Sequence, residues 1–231
     1  EISACLVGSE MCIRDRGIFM ILLFIGILLG IGCIRFKESL PTEKRSKTGV
    51  FATFRSFGII VHNRRYMLYV LQLAFAQGIL FAYIASSPFI IQQHYGFSPF
   101  AFSICFAVNA VAIGVAAAIS VKFRRTENGT LTGCIGMLVF AILQMAALYS
   151  GCGFWTYELL MFALLFMMGL TFTASTTLAM DCERRYAGAA SALLGALCFA
   201  SGGIVSPLVG LGDILPVSYT HLRAHETGRN L

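Results

Sequence analysis

Charge is what this chain has least of. Asp, Glu, Lys and Arg make up 12% of its 231 residues, about half the share of an average globular domain. The few that exist avoid six long apolar runs: 17–34, 67–91, 100–121, 131–150, 159–180 and 188–212. These contain no Asp, Glu, Lys, Arg or His. Glu158 stands at an edge, just outside the fifth run. Without ionisable groups, the runs offer no acid–base pair, nucleophile–base pair or metal cluster, which argues against an embedded hydrolase or redox enzyme. A proton-carrying carboxylate, if the complete protein has one, is expected to lie outside this chain.

Cysteine pairing is missing as well. The eight Cys form no C-x-x-C pair. Cys33, Cys105, Cys134 and Cys198 lie inside apolar runs, where a thiol acts as a small apolar side chain, and Cys152 and Cys182 lie in separate loops. No disulfide, metal or cofactor is expected. The formal charge of +6 does not point to nucleic acid. The basic residues cluster beside the ends of the runs, where anionic lipid headgroups can meet them.

What is present comes in blocks. The chain is 58% hydrophobic, and a bilayer span takes about 20 apolar residues at 1.5 Å each. All six runs are of that order, which predicts an all-α membrane protein with six transmembrane helices. Arg35, Lys37, Lys44, Arg45, Lys47, Arg55, Arg64 and Arg65 fall in the first gap; Lys122, Arg124 and Arg125 in the third; Arg184 and Arg185 in the fifth. The gaps 92–99 and 151–158 hold no Lys or Arg. This alternation places loops 35–66, 122–130 and 181–187 in the cytoplasm and orients a multi-pass protein of the bacterial inner membrane. Asn128-Gly129-Thr130 matches a glycosylation sequon, but it lies in a cytoplasmic gap and is discounted.

The ends differ in character. Residues 1–16 and 213–231 are polar, aperiodic and turn-like. "CLVGSEMCIRDR" and "VSYTHLRAHETGRNL" resemble translated sequencing-adapter read-through. Both ends are expected to be artefactual extensions.

Within 35–66, a hydrophilic stretch containing Pro41 is followed by Val50, Phe54, Phe57 and Val61, which share one helical face. This predicts an amphipathic helix on the cytoplasmic membrane surface, or else the start of the next span. Pro88 predicts a bend or an exit near the end of the second run. In the last run Gly188, Ala192, Ala196, Ala200, Gly203, Pro207 and Gly210 form a small-residue seam, with Ser191, Gly195, Gly202 and Ser206 beside it. Such a seam lets another helix approach closely. The third run has a shorter version in Ala110, Gly114 and Ala118.

The polar residues inside the runs are uncharged and must find partners in other helices or in a water-filled cavity. Gln77, Phe81, Tyr83, Asn109, Gln144, Thr173 and Thr176 are the candidates for a substrate cavity, with Met167 and Met168 near the hydroxyl-rich "GLTFTASTT". Amide, aromatic and Met side chains together suit amphipathic organic molecules. Structural packing is the competing role for each residue taken singly.

The stretch "FAYIASSPFIIQQHYGFSPFAFSICFAVNAVAIG" (81–114) resembles the seventh and eighth spans of the Bcr/CflA drug-resistance group of the major facilitator superfamily. "AGAASALLGALCFASGGIVSPLVG" (187–210) resembles that group's eleventh span. The resemblance implies a twelve-helix, proton-driven exporter of drugs built as two six-helix halves, of which this chain holds spans six to eleven. It implies that 17–34 is the last helix of the N-terminal half, 35–66 the central basic linker and 67–212 five helices of the C-terminal half. The partners are then lipid, a small-molecule substrate, protons and the other half of the same protein. The basic turn with Arg124, Arg125 and Gly129 is similar to a degenerate copy of the group's cytoplasmic signature. Thr173 and Ala174 stand where the group often has Pro-Asn, a departure that bears on substrate identity. Two other readings keep the membrane assignment: a six-helix scaffold or small-solute channel, and an exporter of a metabolite such as a sugar or amino-acid derivative.

Overall fold

The computed structural model describes residues 2–36 and 50–211, and among these all regular structure is helical. The tail 213–231 and most of the linker, Pro41 included, lie outside the described residues. So do the side chains of Val50 and Phe54.

The chain forms two units, 1–47 and 48–231. The first consists of α1 (Ile2–Arg35), a single helix. Residues 2–16 are therefore helical, which overturns their turn-like reading. Within α1 the described apolar stretch is Phe19–Arg35. Of the six expected spans, five are helices long and apolar enough to cross a membrane, and all five lie in the second unit.

The second unit begins with α2 (Val50–His62) and continues with α3 (Arg64–Pro88), α4 (Pro99–Ser120), α5 (Thr126–Tyr149), α6 (Phe154–Cys182) and α7 (Ala187–Leu211). A helix, α2, falls where the linker helix was expected. Ile60 is fully buried against Tyr66, Val70, Ala179 and Ala190, whereas Val61 is exposed.

Local chemistry sets the helix ends. Asn63 accepts from the backbone N–H of Arg65 (3.2 Å) and Tyr66 (3.3 Å) to start α3. Ser98 accepts from Ala101 (3.2 Å), with Pro99 in the first turn of α4. Pro88 does not end its span. The chain continues through a π-helical turn, Phe89–His94, and leaves only at Tyr95. Pro88 has no N–H to give the helix, and a wider turn carries the backbone past it. Gly96 (φ 71°) and Gly151 (φ 68°) then take the left-handed conformation in the turns after α3 and α5, where a side chain would be strained.

These two turns, which lack Lys and Arg, meet. The Tyr95 hydroxyl donates to the Cys152 carbonyl at 2.9 Å, and the rings of Phe97 and Phe154 lie 4.2 Å apart. Burial pushes the Tyr95 phenol up to about 12. At the opposite end Asn63 donates to Glu183 at 2.6 Å, between basic residues Arg64, Arg65, Arg184 and Arg185. The sorting of charge by gap is thus a sorting by end of the bundle.

The centre of the unit is α6, which packs against α3, α4 and α5, while α7 rests chiefly on α3. Single glycines mark the closest approaches. A methyl on Gly169 would lie 2.5 Å from the Ile113 carbonyl oxygen of α4, and one on Gly133 would meet Thr171 and the Met167 carbonyl of α6. Gly78 of α3 faces Val205 of α7, and Gly202 of α7 faces the Phe81 ring.

The small-residue seam of α7 meets no described helix of its own unit. Gly188, Ala192, Ala196, Ala200, Gly203, Pro207 and Gly210 are all exposed. Of the six packing candidates only Gly202 is buried. Ser191 is exposed, and Gly188, Gly195, Gly203 and Gly210 would carry a methyl with nothing within 4 Å. The face that packs holds Ala190, Cys198 and Ser201, whose hydroxyl donates to the Ala74 carbonyl at 2.7 Å. Likewise Ala110, Gly114 and Ala118 of α4 are exposed, and Ala112 and Ala116 are buried. Small residues occupy both faces of these helices, so their spacing alone does not say which face meets a neighbour.

Candidate functional site

The cavity candidates divide into separate groups. Tyr83 and Asn109 are both buried and directly joined: the Asn109 amide nitrogen, Nδ2, donates to the Tyr83 hydroxyl at 3.0 Å. Gln77 and Phe81 are half-buried, and Phe81 turns toward α7, where its ring meets Phe199 edge-on at 6.3 Å. Gln144 is buried on α5 with neither amide atom hydrogen-bonded. Thr176 donates to the Phe172 carbonyl of its own helix at 2.7 Å, and the Thr173 carbonyl accepts from Thr177 at 2.9 Å. Back-bonding of this kind satisfies hydroxyls in a span without a ligand. No hydrogen bond or ring contact links Gln144, Thr173 or Thr176 to the Tyr83–Asn109 pair.

The residue that completes that pair is Glu158. The same Nδ2 of Asn109 donates to Glu158 Oε1 at 2.8 Å. Glu158 lies toward the end of the bundle that holds the turns without Lys and Arg, but it turns inward: α6 begins at Phe154, a turn earlier than the apolar run, and holds Glu158, half-buried, against Asn109. The helical repeat explains its direction. Phe154, Met161 and Leu165 are buried, and Glu158 falls four after the first, three before the second and seven before the third. A reading of the apolar run alone misses it; extending the buried stripe one turn toward Gly153 finds it.

Three helices thus bring Tyr83, Asn109 and Glu158 together. Tyr83 also stacks on Phe106 of α4, with ring centroids 5.8 Å apart. Both Nδ2 hydrogens of Asn109 are used. The atoms left over are Asn109 Oδ1, Glu158 Oε2, Ser87 Oγ and the Tyr157 hydroxyl, each buried without a hydrogen-bond partner. Among the described residues the one ion pair is Arg184–Asp181 at 3.0 Å on the surface, so none of the described cations neutralises Glu158.

A second polar group lies nearer the basic end, and it is better satisfied. The Ser175 hydroxyl of α6 donates to Gln72 of α3 at 3.1 Å and lies 3.2 Å from the Thr130 hydroxyl of α5. It ties three helices together and leaves only Gln72 Nε2 unbonded. Arg124 and Arg125 are exposed in the turn before α5, and Gly129 behind them packs on Ala174 of α6. Among the described residues no group of three or more His, Cys, Asp or Glu could hold a metal ion.

Five helices long and apolar enough to cross a membrane enclose amides, hydroxyls and one carboxylate. The family profile described as Major Facilitator Superfamily matches residues 14–207. The chain belongs to the major facilitator superfamily. It is also similar to a protein of Bacillus subtilis (strain 168) described as the uncharacterized MFS-type transporter YdgK, at 36% identity over 205 residues. That alignment covers 87% of this chain and 51% of the relative, so the chain spans about half the length of this curated relative. No solved structure matches the chain. Family membership gives the apolar helices their role as membrane spans.

Proposed function

We propose that this chain is one half of a proton-coupled exporter of drugs or other small amphipathic molecules, of the Bcr/CflA kind. The observation that carries the reading is the exposed small-residue face of α7. Gly188, Ala192, Ala196, Ala200 and Gly203 offer a shallow, apolar track turned away from the helices of their own unit. In lipid such a track is a surface for close helix–helix contact, and the chain is half the length of its relative. The other half-bundle of the same protein would dock there, with transport by rocking of the two halves about a site between them. Basic loops 35–66, 122–130 and 181–187 would face the cytoplasm, and the Tyr95–Cys152 end would face outward across the inner membrane.

Cells expressing the complete gene and loaded with a fluorescent amphipathic dye test the exchange. Dye efflux should stop when a protonophore collapses the gradient. Efflux that persists unchanged would overturn proton coupling. A labelled cysteine in the 92–99 turn tests orientation, which fails if the label is reached only from inside.

The same α7 face also suits the scaffold reading, in which a second copy covers it. Cysteine placed at Ala196 separates the two. Crosslinking to another helix of the same polypeptide supports the exporter; crosslinking between two copies supports the scaffold.

A further inference from the structure

We propose that the Glu158 carboxyl is a proton-binding site built into this half of the transporter, with Asn109 and Tyr83 as its positioning residues. For the use made of the proton, the inference rests on the exchange reading above; for the binding itself it rests on geometry alone.

The geometry is a mismatch of donors and acceptors. Asn109 is fully buried, and its Nδ2 has given both hydrogens away, to Tyr83 (3.0 Å) and to Glu158 Oε1 (2.8 Å). The two atoms left unbonded on this pair, Asn109 Oδ1 and Glu158 Oε2, are both acceptors while the carboxyl is ionised. A proton taken onto an Oε2 lone pair turns one of them into a donor. The group goes from an anion to a neutral acid, and no other bond is made or broken. The groups near it are Tyr83 from α3, Cys105 and Asn109 from α4, and Tyr157 from α6, with Ser87 beside Tyr83. Tyr95 of the nearby turn lies beyond Tyr157, with ring centroids 5.9 Å apart. None is a cation. Glu158 is half-buried in the second turn of α6, with Oε2 enclosed; an ionised carboxylate within a span and without a counter-charge is costly and is normally found where ions or protons move. The site lies near the turns that carry no Lys or Arg, so protons reach it from that end.

Two measurements test this on the full-length protein in lipid vesicles. Infrared difference spectra between about pH 5 and about pH 9 should show a protonated-carboxyl band that forms and disappears. Glu158→Gln should lose that band, and Asn109→Leu should move its midpoint. The second measurement is transport. Glu158→Gln should lose gradient-driven accumulation, falling to the level of protonophore-treated wild type. A titrating band that survives Glu158→Gln would overturn the site. So would gradient-driven transport in Glu158→Gln equal to the wild type's. If the wild type titrates at Glu158 yet transports without regard to the gradient, the site stands and the exchange reading fails. If Glu158→Gln does not accumulate in the membrane, Glu158→Asp keeps the test alive. It retains the acid one methylene shorter and should titrate with a shifted midpoint.

Discussion

Helices α6 and α7 have the same mean hydropathy over their most apolar stretches, yet half of the α6 stretch is buried within the protein and only 11% of the α7 stretch. Hydropathy says that both cross the membrane and says nothing of what surrounds them. The difference lies in the partners. Around α6 are three helices, received at Gly133, Gly136 and Gly169 and pinned by Ser175 and Asn109. Against α7 is mainly α3, met through Gly78, Gly202 and the Tyr66 hydroxyl on the Ala190 carbonyl at 2.6 Å. In lipid the apolar effect does not choose between these environments; close packing and hydrogen bonds do.

Four substitutions sharpen or break this contrast, all readable by thermal unfolding of the purified protein. Gly169→Val should have the largest effect, because its new side chain meets the backbone of α4 at Ile113, which cannot rotate away. A loss of about 3 kcal/mol is expected, and an unchanged Tm would mean that α4 and α6 are not in contact there. Gly202→Ala should cost less, about 1–2 kcal/mol, since the Phe81 ring it meets can turn. Tyr95→Phe removes one hydrogen bond between the two turns and should cost about 1 kcal/mol. The Tyr95 phenol is raised by folding. Its contribution should be full below about pH 10, the ordinary value, and lost as pH rises through about 12. Tyr95→Phe should flatten that alkaline loss. Gly203→Leu should do least, with stability within about 0.5 kcal/mol of the original, because nothing lies near Gly203. Dye export by the full-length protein should nevertheless fall. Full export from that variant would show that the α7 face meets no other half.

The sequence carried the spans well and the contacts poorly. Runs of apolar residues located all five long helices of the second unit to within a few residues, apart from the earlier starts of α5 at Thr126 and α6 at Phe154. Polar residues near the helix starts caused both misses. Thr126, Glu127 and Asn128 lower the local hydropathy of α5, and Glu158 ended the apolar run of α6 early. That same Glu158 was the missing member of the polar group, while Tyr83 and Asn109 were legible as buried polar side chains. The α7 seam left its partner open for a different reason. Its regular spacing was real, but the packed face was the one with Ala190, Cys198 and Gly202. Regular spacing identifies a smooth face; it does not identify what lies against it.

Helices α3 and α6 are fastened to each other at both extremities, through Asn63 and Glu183 at one and Tyr95 and Cys152 at the other. A pair clasped in this way resists sliding along its length, because any shift that relaxes one fastening strains the other. The consequence is mechanical. Shape change inside this unit has to come from tilting or from side chains, and larger displacements have to carry the clasped pair as one piece, like a door leaf held top and bottom.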